Sequence, residues 1–371
     1  MKKVIVSVTN DLVTDRRVDK TCQTLLKSGF DVTLAGRRKT DSLTLEKRNY
    51  RTHRFRLLFE KGPFFYAEYN IRLFFYLLSQ KVQLLVSNDL DTLLPNFLVS
   101  KLKRIPLVYD SHEYYTQTPE LVHRKRVQQV WKRIEKWIFP RLTDIITVNE
   151  SIAGLYRNEY KKKIKVIRNI PPQLKPVVLK SKQELGIPEN KKIILLQGAG
   201  INMQRGAEEA VEAMQYVENA ILLIIGGGDV IEKLKEQVQK LKLQDKVLFI
   251  PKQPLDSLIH YTLHADIGLT LDKDTNINYR FSLPNKLFDY IHAGVPVLAS
   301  RLPEIEKIIS NYHIGTFIEN HEPTHIAEKI NFMLTNTEEY QRWKNNLPKA
   351  AHNLNWEEEE KIAMEIYAKY K

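Results

Sequence analysis

The chain has 371 residues, too many for one typical hydrophobic core and enough for two domains. Its 43% apolar and 27% charged residues suit a globular protein, and no stretch approaches the roughly 20 apolar residues that a membrane-spanning helix needs. The net charge of +13 resides in the first half, where residues 1–170 hold 33 Lys and Arg against 17 Asp and Glu; such asymmetry implies an anionic partner for that half.

The apolar run after Met1-Lys2-Lys3 is too short for a leader and ends at Asn10 and Asp11, so it reads as a first strand, Lys3–Val8. Asp15 or Thr14 can cap the helix that follows, and Arg17 can face a phosphate or an acceptor. The one cysteine, Cys22, shares a helical face with Val18, Leu25 and Leu26; it allows no internal disulfide and fits a reducing cytoplasm. Further strands are predicted at Asp31–Ala35, Leu84–Ser87, Leu107–Tyr109, Ile145–Val148 and Lys165–Ile167, separated by helical patterns. Asp89-Leu90-Asp91 has the spacing of a metal-binding pair, but two aspartates one residue apart arise often by chance, and no metal is assigned. Tyr109-Asp110-Ser111-His112-Glu113 ends a strand, the edge where α/β proteins place ligands. Arg124 to Arg141 is a basic amphipathic helix with Val127, Val130, Trp131, Ile134, Trp137 and Ile138 on one face. That face packs on its own domain or, joined by the aromatic-rich stretch Pro63 to Leu78, docks on an anionic membrane surface.

Asn169-Ile170-Pro171-Pro172 breaks the pattern, and a second series of strands follows at Lys192–Gln197, Ala220–Ile225, Val247–Ile250, Ile267–Leu271, Val295–Ala299 and Gly315–Ile318. Strands alternating with helices imply parallel sheets flanked by helices, here in two successive α/β domains, residues 1–170 and 171–354. A last helix is expected within residues 355–371. Gln197 to Gly206 joins strand to helix; Gly198 and Gly200 let a phosphate approach the backbone, and Arg205 can clamp two oxygens in a fork. Gly226-Gly227-Gly228 lacks the spacing and early acidic partner of a dinucleotide fingerprint, which sets NAD aside. His260 and His264 lie at i, i+4, but Tyr261 stands where a zinc protease needs glutamate. Phe281 to Ser300 reads loop, helix, strand: Pro284 suits a helix start, Asn285 to about Ala293 is helical, and Gly294 caps it. The freed amides of that start, with Lys286 beside them and Asp289 one turn on, are built to hold a nucleoside diphosphate.

Ser282-Leu283-Pro284-Asn285-Lys286-Leu287-Phe288-Asp289-Tyr290, followed by Gly294-Val295-Pro296-Val297, resembles the donor-binding signature of the family 4 retaining glycosyltransferases, whose fold is GT-B. Asp289 stands at the second of that family's two glutamates and Phe281 at the first; a branch of the family reads Ser-Leu-Pro-Asn-Lys-Leu-Phe-Glu-Tyr here. Arg205-Gly206 matches the family's Lys-Gly pair, Gly200 falls on its arginine, and His112 matches its cleft histidine. The resemblance implies two Rossmann-like domains facing across a cleft, a last helix that crosses back to the first domain, and a donor site of Gly198, Gly200, Arg205, Gly227, Pro284, Asn285, Lys286, Leu287 and Asp289. His112, Arg205 and Lys286 carry the catalysis, with Asp15 and Arg17 on the acceptor or phosphate side. It also implies a UDP or GDP sugar as donor substrate, no cofactor, no metal, and a saccharide or lipid-linked acceptor used in cell-surface polysaccharide synthesis. The expected place is the cytoplasm, peripheral to the inner face of the membrane. Rival readings are a sugar-nucleotide epimerase or hydrolase on the same fold and a non-catalytic glycosyltransferase-like subunit; nucleic-acid binding lacks any recognised module.

Overall fold

The structure is a computed structural model that describes residues 1–13 and 15–371, the side chains of Pro119 and Glu120 excepted. The chain divides into two compact units, Met1–Asn169 with Glu358–Lys371, and Ile170–Glu357. In the first unit the strands are β1 (Lys3–Asp11), β2 (Asp31–Arg38), β3 (Arg51–Arg56), β4 (Leu84–Asn88), β5 (Leu107–Ser111), β6 (Asp144–Thr147) and β7 (Lys165–Val166). They form a parallel sheet in the order β3-β2-β1-β4-β5-β6-β7. The second unit holds β8 (Lys192–Gly198), β9 (Ala220–Gly226), β10 (Val247–Ile250), β11 (Ile267–Thr270), β12 (Val297–Ser300) and β13 (Gly315–Ile318). Their order is β10-β9-β8-β11-β12-β13, again parallel. Both sheets therefore reverse direction beside their first strand, between β1 and β4 and between β8 and β11, which is where doubly wound sheets open a crevice at their carboxyl ends.

Burial on both faces explains the strand sequences. Ile194 and Leu196 of β8 enter one core with Leu222 and Ile224 of β9. Their neighbours Ile193, Leu195, Ile221, Leu223 and Ile225 enter the core on the opposite face, so the strands are continuously apolar rather than alternating. β3 is the strand that the sequence reading did not find. It is an edge strand of sequence Arg-Thr-His-Arg-Phe-Arg, paired on one side with β2, and only Phe55 in it is buried. Its charges blunt an exposed sheet edge and so erase the apolar signal.

The final helix, Trp356–Ala368, begins in the second unit and continues in the first. Within the first unit, Glu359 accepts hydrogen bonds from the Arg168 amide (2.6 Å) and Nε (2.7 Å), and Glu360 accepts from Thr24 Oγ1 (2.8 Å) and Lys27 Nζ. Among the described residues, no helix is long and apolar enough to cross a membrane.

Candidate functional site

In the second unit the loops leaving β8 and β11 meet at the switch point. The Lys273 amide donates to the Gln204 carbonyl at 2.9 Å, and Gly206, at φ +73°, lies so close to Leu271 that a Cβ would stand 2.4 Å from its carbonyl oxygen. This close approach fixes Arg205 against Asp272, the second residue beyond β11. Arg205 Nη1 donates to Asp272 Oδ1 at 3.1 Å, its guanidinium carbon lies 4.9 Å from the Tyr279 ring centroid, and its buried Nε has no partner among the described residues.

The helix that leads to β12 runs Asn285–His292, with Pro284 at its cap and no side chain capping its amides. Lys286 in its first turn has a side chain only 10% exposed, and its ammonium lies 3.8 Å from Oδ2 of the fully buried Asp272. That is an ion pair too long for a hydrogen bond, and among the described residues Lys286 donates none. Burial pulls the Lys286 pKa below the usual lysine range; Asp272 opposes the shift and Arg205 adds to it. Ser282 Oγ, just before the helix, is also buried without a partner among the described residues. Asp289 accepts from Gln197 Nε2 at 3.0 Å, and Gln197 is held in turn by Thr262 Oγ1 at 2.8 Å. A cation pair, uncapped helix amides and a carboxylate one turn along are thus brought to the same sheet end.

The glycine turns close this site from behind. At Gly226, φ is +140° and a Cβ would lie 1.8 Å from the Gly198 carbonyl oxygen, so the turn after β9 requires glycine to pack on the loop after β8. Gly227 accepts a 2.8 Å hydrogen bond from the Ile201 amide, while Gly200 has ordinary van der Waals room beside Asn202. Leu287 is placed differently from its sequence assignment: its side chain is fully buried in the core and its amide donates to the Pro284 carbonyl.

The switch point of the first unit carries a second charged cluster. The His112 amide donates to Asp89 Oδ1 at 2.8 Å, its Nδ1 lies 3.3 Å from Asp89 Oδ2, and its Nε2 lies 3.2 Å from Asn88 Oδ1 and 3.6 Å from Asp110 Oδ2. Burial alone would lower the imidazole pKa, but attraction to Asp89 and Asp110 outweighs it and pushes the value up to about 9. His112 is therefore an imidazolium at neutral pH. Asp89 has φ +58° and ψ 169°, a conformation that costs an L-residue on the order of 1–3 kcal/mol, and its amide donates to the Asp110 carbonyl at 2.9 Å. The Asp89–Asp91 pair is split by this geometry: Asp89 serves His112, whereas Asp91 is buried and accepts from Thr9 Oγ1 at 2.5 Å. Burial, with Asp89 repulsion behind it, pushes the Asp91 pKa up to about 7.

The sequence expectation for Arg17 needs correction here. Arg17 does not face outward: it is buried, its Nη2 donates to Asp110 Oδ1 at 2.7 Å and its Nη1 to the Ile167 carbonyl at 2.9 Å. A phosphate would have to displace that buried pair. Asp15 caps the helix Arg16–Lys27 by accepting from the Val18 amide, and Thr14, the alternative cap, lies outside the described residues. Trp131 is buried between Tyr66 and Tyr115 and belongs to the core, while Trp137 is 44% exposed and edges onto Phe97. His260 and His264 hold no metal geometry; both hydrogen-bond the backbone of Lys180.

Asp272, Gln197 and Tyr279 are site residues that the sequence reading missed. A carboxylate directly after a predicted apolar strand was the available signal for Asp272, but its meaning depends on β11 lying beside β8, which strand order alone reveals.

Comparison with known proteins follows the same division. Residues 14–170 match the family described as Glycosyltransferase Family 4, and residues 178–350 match Glycosyl transferases group 1. The N-acetyl-alpha-D-glucosaminyl L-malate synthase of Bacillus anthracis is 26% identical over 160 residues, 42% of this chain and 40% of that protein. The alpha-monoglucosyldiacylglycerol synthase of Streptococcus pneumoniae is 27% identical over 241 residues, 58% of this chain and 51% of that protein. The chain thus spans about half the length of these relatives or less. Sucrose-phosphate synthase from Thermosynechococcus elongatus has a similar structure, with TM-score 0.79 and 16% identity over 100% of this chain and 99% of that one. The Anabaena protein Alr3699/HepE in complex with UDP-glucose superposes with TM-score 0.75 and 14% identity over the whole of both chains.

Proposed function

Because the chain belongs to the family 4, group 1 glycosyltransferases of GT-B fold, we propose that it moves a sugar from a UDP or GDP sugar to a hydroxyl of a saccharide or lipid-linked acceptor, retaining anomeric configuration. The observation that carries this reading is Lys286, whose side chain is nine-tenths buried and whose ammonium makes no hydrogen bond among the described residues, set beside Arg205 and an uncapped helix start. An anion bearing several oxygens satisfies all three at once, and UDP-glucose in the Anabaena protein of the same fold supports a nucleoside diphosphate.

In this mechanism Arg205, Lys286 and the amides near Asn285 take up the charge that develops on the departing diphosphate. Asp289, steadied by Gln197, accepts from the ribose hydroxyls. His112 acts on the transferred sugar as a cation, since its ring nitrogens are already turned to Asn88, Asp89 and Asp110. No residue is assigned as a covalent nucleophile, so the acceptor oxygen attacks from the face that the diphosphate leaves. Incubation with donor alone and with donor plus acceptor tests the reaction: a new glycosidic product is expected only with acceptor. Conversion of the donor by itself would indicate the epimerase or hydrolase. Phe281 and Gly200, which replace two polar groups of the family pattern, favour the non-catalytic subunit, and that reading requires that no nucleotide sugar bind.

Turnover is expected to persist in EDTA, because protein cations neutralise the diphosphate. Complete loss that Mg²⁺ or Mn²⁺ restores would overturn the metal-independent assignment.

Binding to an anionic membrane surface is the expected means of reaching the acceptor. The helix Gly62–Ser79 buries one stripe (Phe65, Tyr69, Leu73, Leu77) and exposes a second (Phe64, Ile71, Phe75, Leu78), at i, i+7, i+11 and i+14. The helix Lys125–Ile138 adds exposed Val127, Val130 and Trp137 among its lysines and arginines. Attraction contributes on the order of 1 kcal/mol per well-placed basic residue. Sedimentation with anionic but not neutral vesicles at low salt, and its loss at high salt, is the expected outcome. Failure to sediment with either would leave a soluble acceptor.

A further inference from the structure

We propose that Asp272 is a positioning residue for the donor diphosphate, a fixed internal counter-ion that lets the Arg205 guanidinium and the Lys286 ammonium stand side by side before the donor arrives. The inference rests on the donor-site reading above and concerns a residue outside the family motif that supports it. Asp272 is fully buried, and its two oxygens divide between the two cations: Oδ1 to Arg205 at 3.1 Å and Oδ2 to Lys286 at 3.8 Å. Two like charges brought together in a poorly solvated place repel each other, and the lysine can escape by losing its proton whereas the arginine cannot. A carboxylate between them opposes that escape. The unequal distances matter as well, because Arg205 is hydrogen-bonded and Lys286 is not, so the ammonium keeps its donors for a phosphate oxygen.

The other charges near this place are committed elsewhere. Lys273 pairs with Glu209, Arg280 lies 3.6 Å from Asp274, and Asp289, on the same helix as Lys286, accepts from Gln197. His321 bridges Ser300 and the Leu271 carbonyl at 3.1 and 3.0 Å. The uncharged ring beside Arg205 is that of Tyr279. Asp272 is accordingly the carboxylate within ion-pair reach of both cations among the described residues.

The test is calorimetric titration of the full chain with UDP and with GDP between pH 7 and pH 9. Wild type is expected to bind one of them with affinity that changes less than about twofold across the range, while Asp272→Asn weakens about tenfold as Lys286 loses its proton. Asp272→Asn with Lys286→Met is expected to lose that pH dependence, since no lysine remains to titrate. Equal, pH-independent affinity in wild type and Asp272→Asn would overturn the role of Asp272 while leaving the donor site intact. Absence of nucleotide binding by wild type would overturn the donor site itself, and this inference with it. Should asparagine unfold the second unit, ¹⁵N NMR of wild-type Lys286, assigned by loss of its signal in Lys286→Arg, decides the matter: the ammonium is expected to persist through pH 8, and titration near pH 7 would contradict the proposal.

Discussion

Arg205→Ala and Lys286→Ala are each expected to weaken nucleoside diphosphate binding by about 1.5–3 kcal/mol, the range for a charge-assisted hydrogen bond. At 1.4 kcal/mol per decade this is roughly ten- to hundredfold in Kd. The variants also differ in what they leave behind. Lys286→Ala leaves the buried Asp272 with Arg205 alone, and Arg205→Ala leaves it 3.8 Å from the one remaining cation, so both carry some loss of stability in the second unit. Urea unfolding separates that loss from binding. Asp289→Asn is expected to weaken the nucleotide while sparing free pyrophosphate, because its carboxylate is assigned to the ribose and not to phosphate. Unchanged affinities in all three variants would remove the proposed donor site.

Raising the pH from 6.5 to 9.5 is expected to cost the fold about 3 kcal/mol through His112 alone. An unfolded histidine titrates near pH 6.5 and the folded one at about 9, and each pKa unit is worth about 1.4 kcal/mol. The folded state holds the proton more tightly, so this stability is fully present below pH 6.5 and is lost as the pH rises through 9. The neighbouring groups do not cancel it. Asp110, held below the usual carboxylate range by Arg17 and His112 against the penalty of burial, is ionised throughout. Asp91 and Glu135, both raised to about 7 chiefly by burial, titrate in the lower half of the interval and shift stability in the same direction in wild type and variant. Urea unfolding of wild type and His112→Gln across this range isolates the effect: wild type is expected to lose stability relative to the variant. Parallel profiles would show that His112 is not an imidazolium, and would take with them its proposed action as a cation on the sugar.

Most of the fold could be read from the chain because burial on both faces leaves a simple mark. Every interior strand of both sheets carries a buried apolar stretch, and the reading placed each of them, whereas β3 lies at an edge and carries its charges outward. The motif residues of the donor half were legible for a related reason. Pro284 to Asp289 is a contiguous stretch whose residue types and spacing are recognisable before its distant partners are known. Asp272, Gln197 and the Arg17–Asp110 pair were not legible, since each acquires its meaning from a residue 67 to 93 positions away that the strand order brings near. Trp131 shows the same limit in a helix. Its periodicity places it on the apolar face, but only the packing of Tyr66 and Tyr115 decides that this part of the face is interior.

Equilibrium titration with UDP, GDP and ADP, and with their sugars, reaches the donor site without requiring the acceptor. Saturable binding of a UDP or GDP species is expected in wild type, with the apparent stability of the fold rising as ligand is added. The binding should fall at least tenfold in Lys286→Ala and should not require added metal. If no nucleotide or nucleotide sugar binds to the folded wild-type chain, the assignment of a donor diphosphate site to Arg205 and Lys286 is wrong.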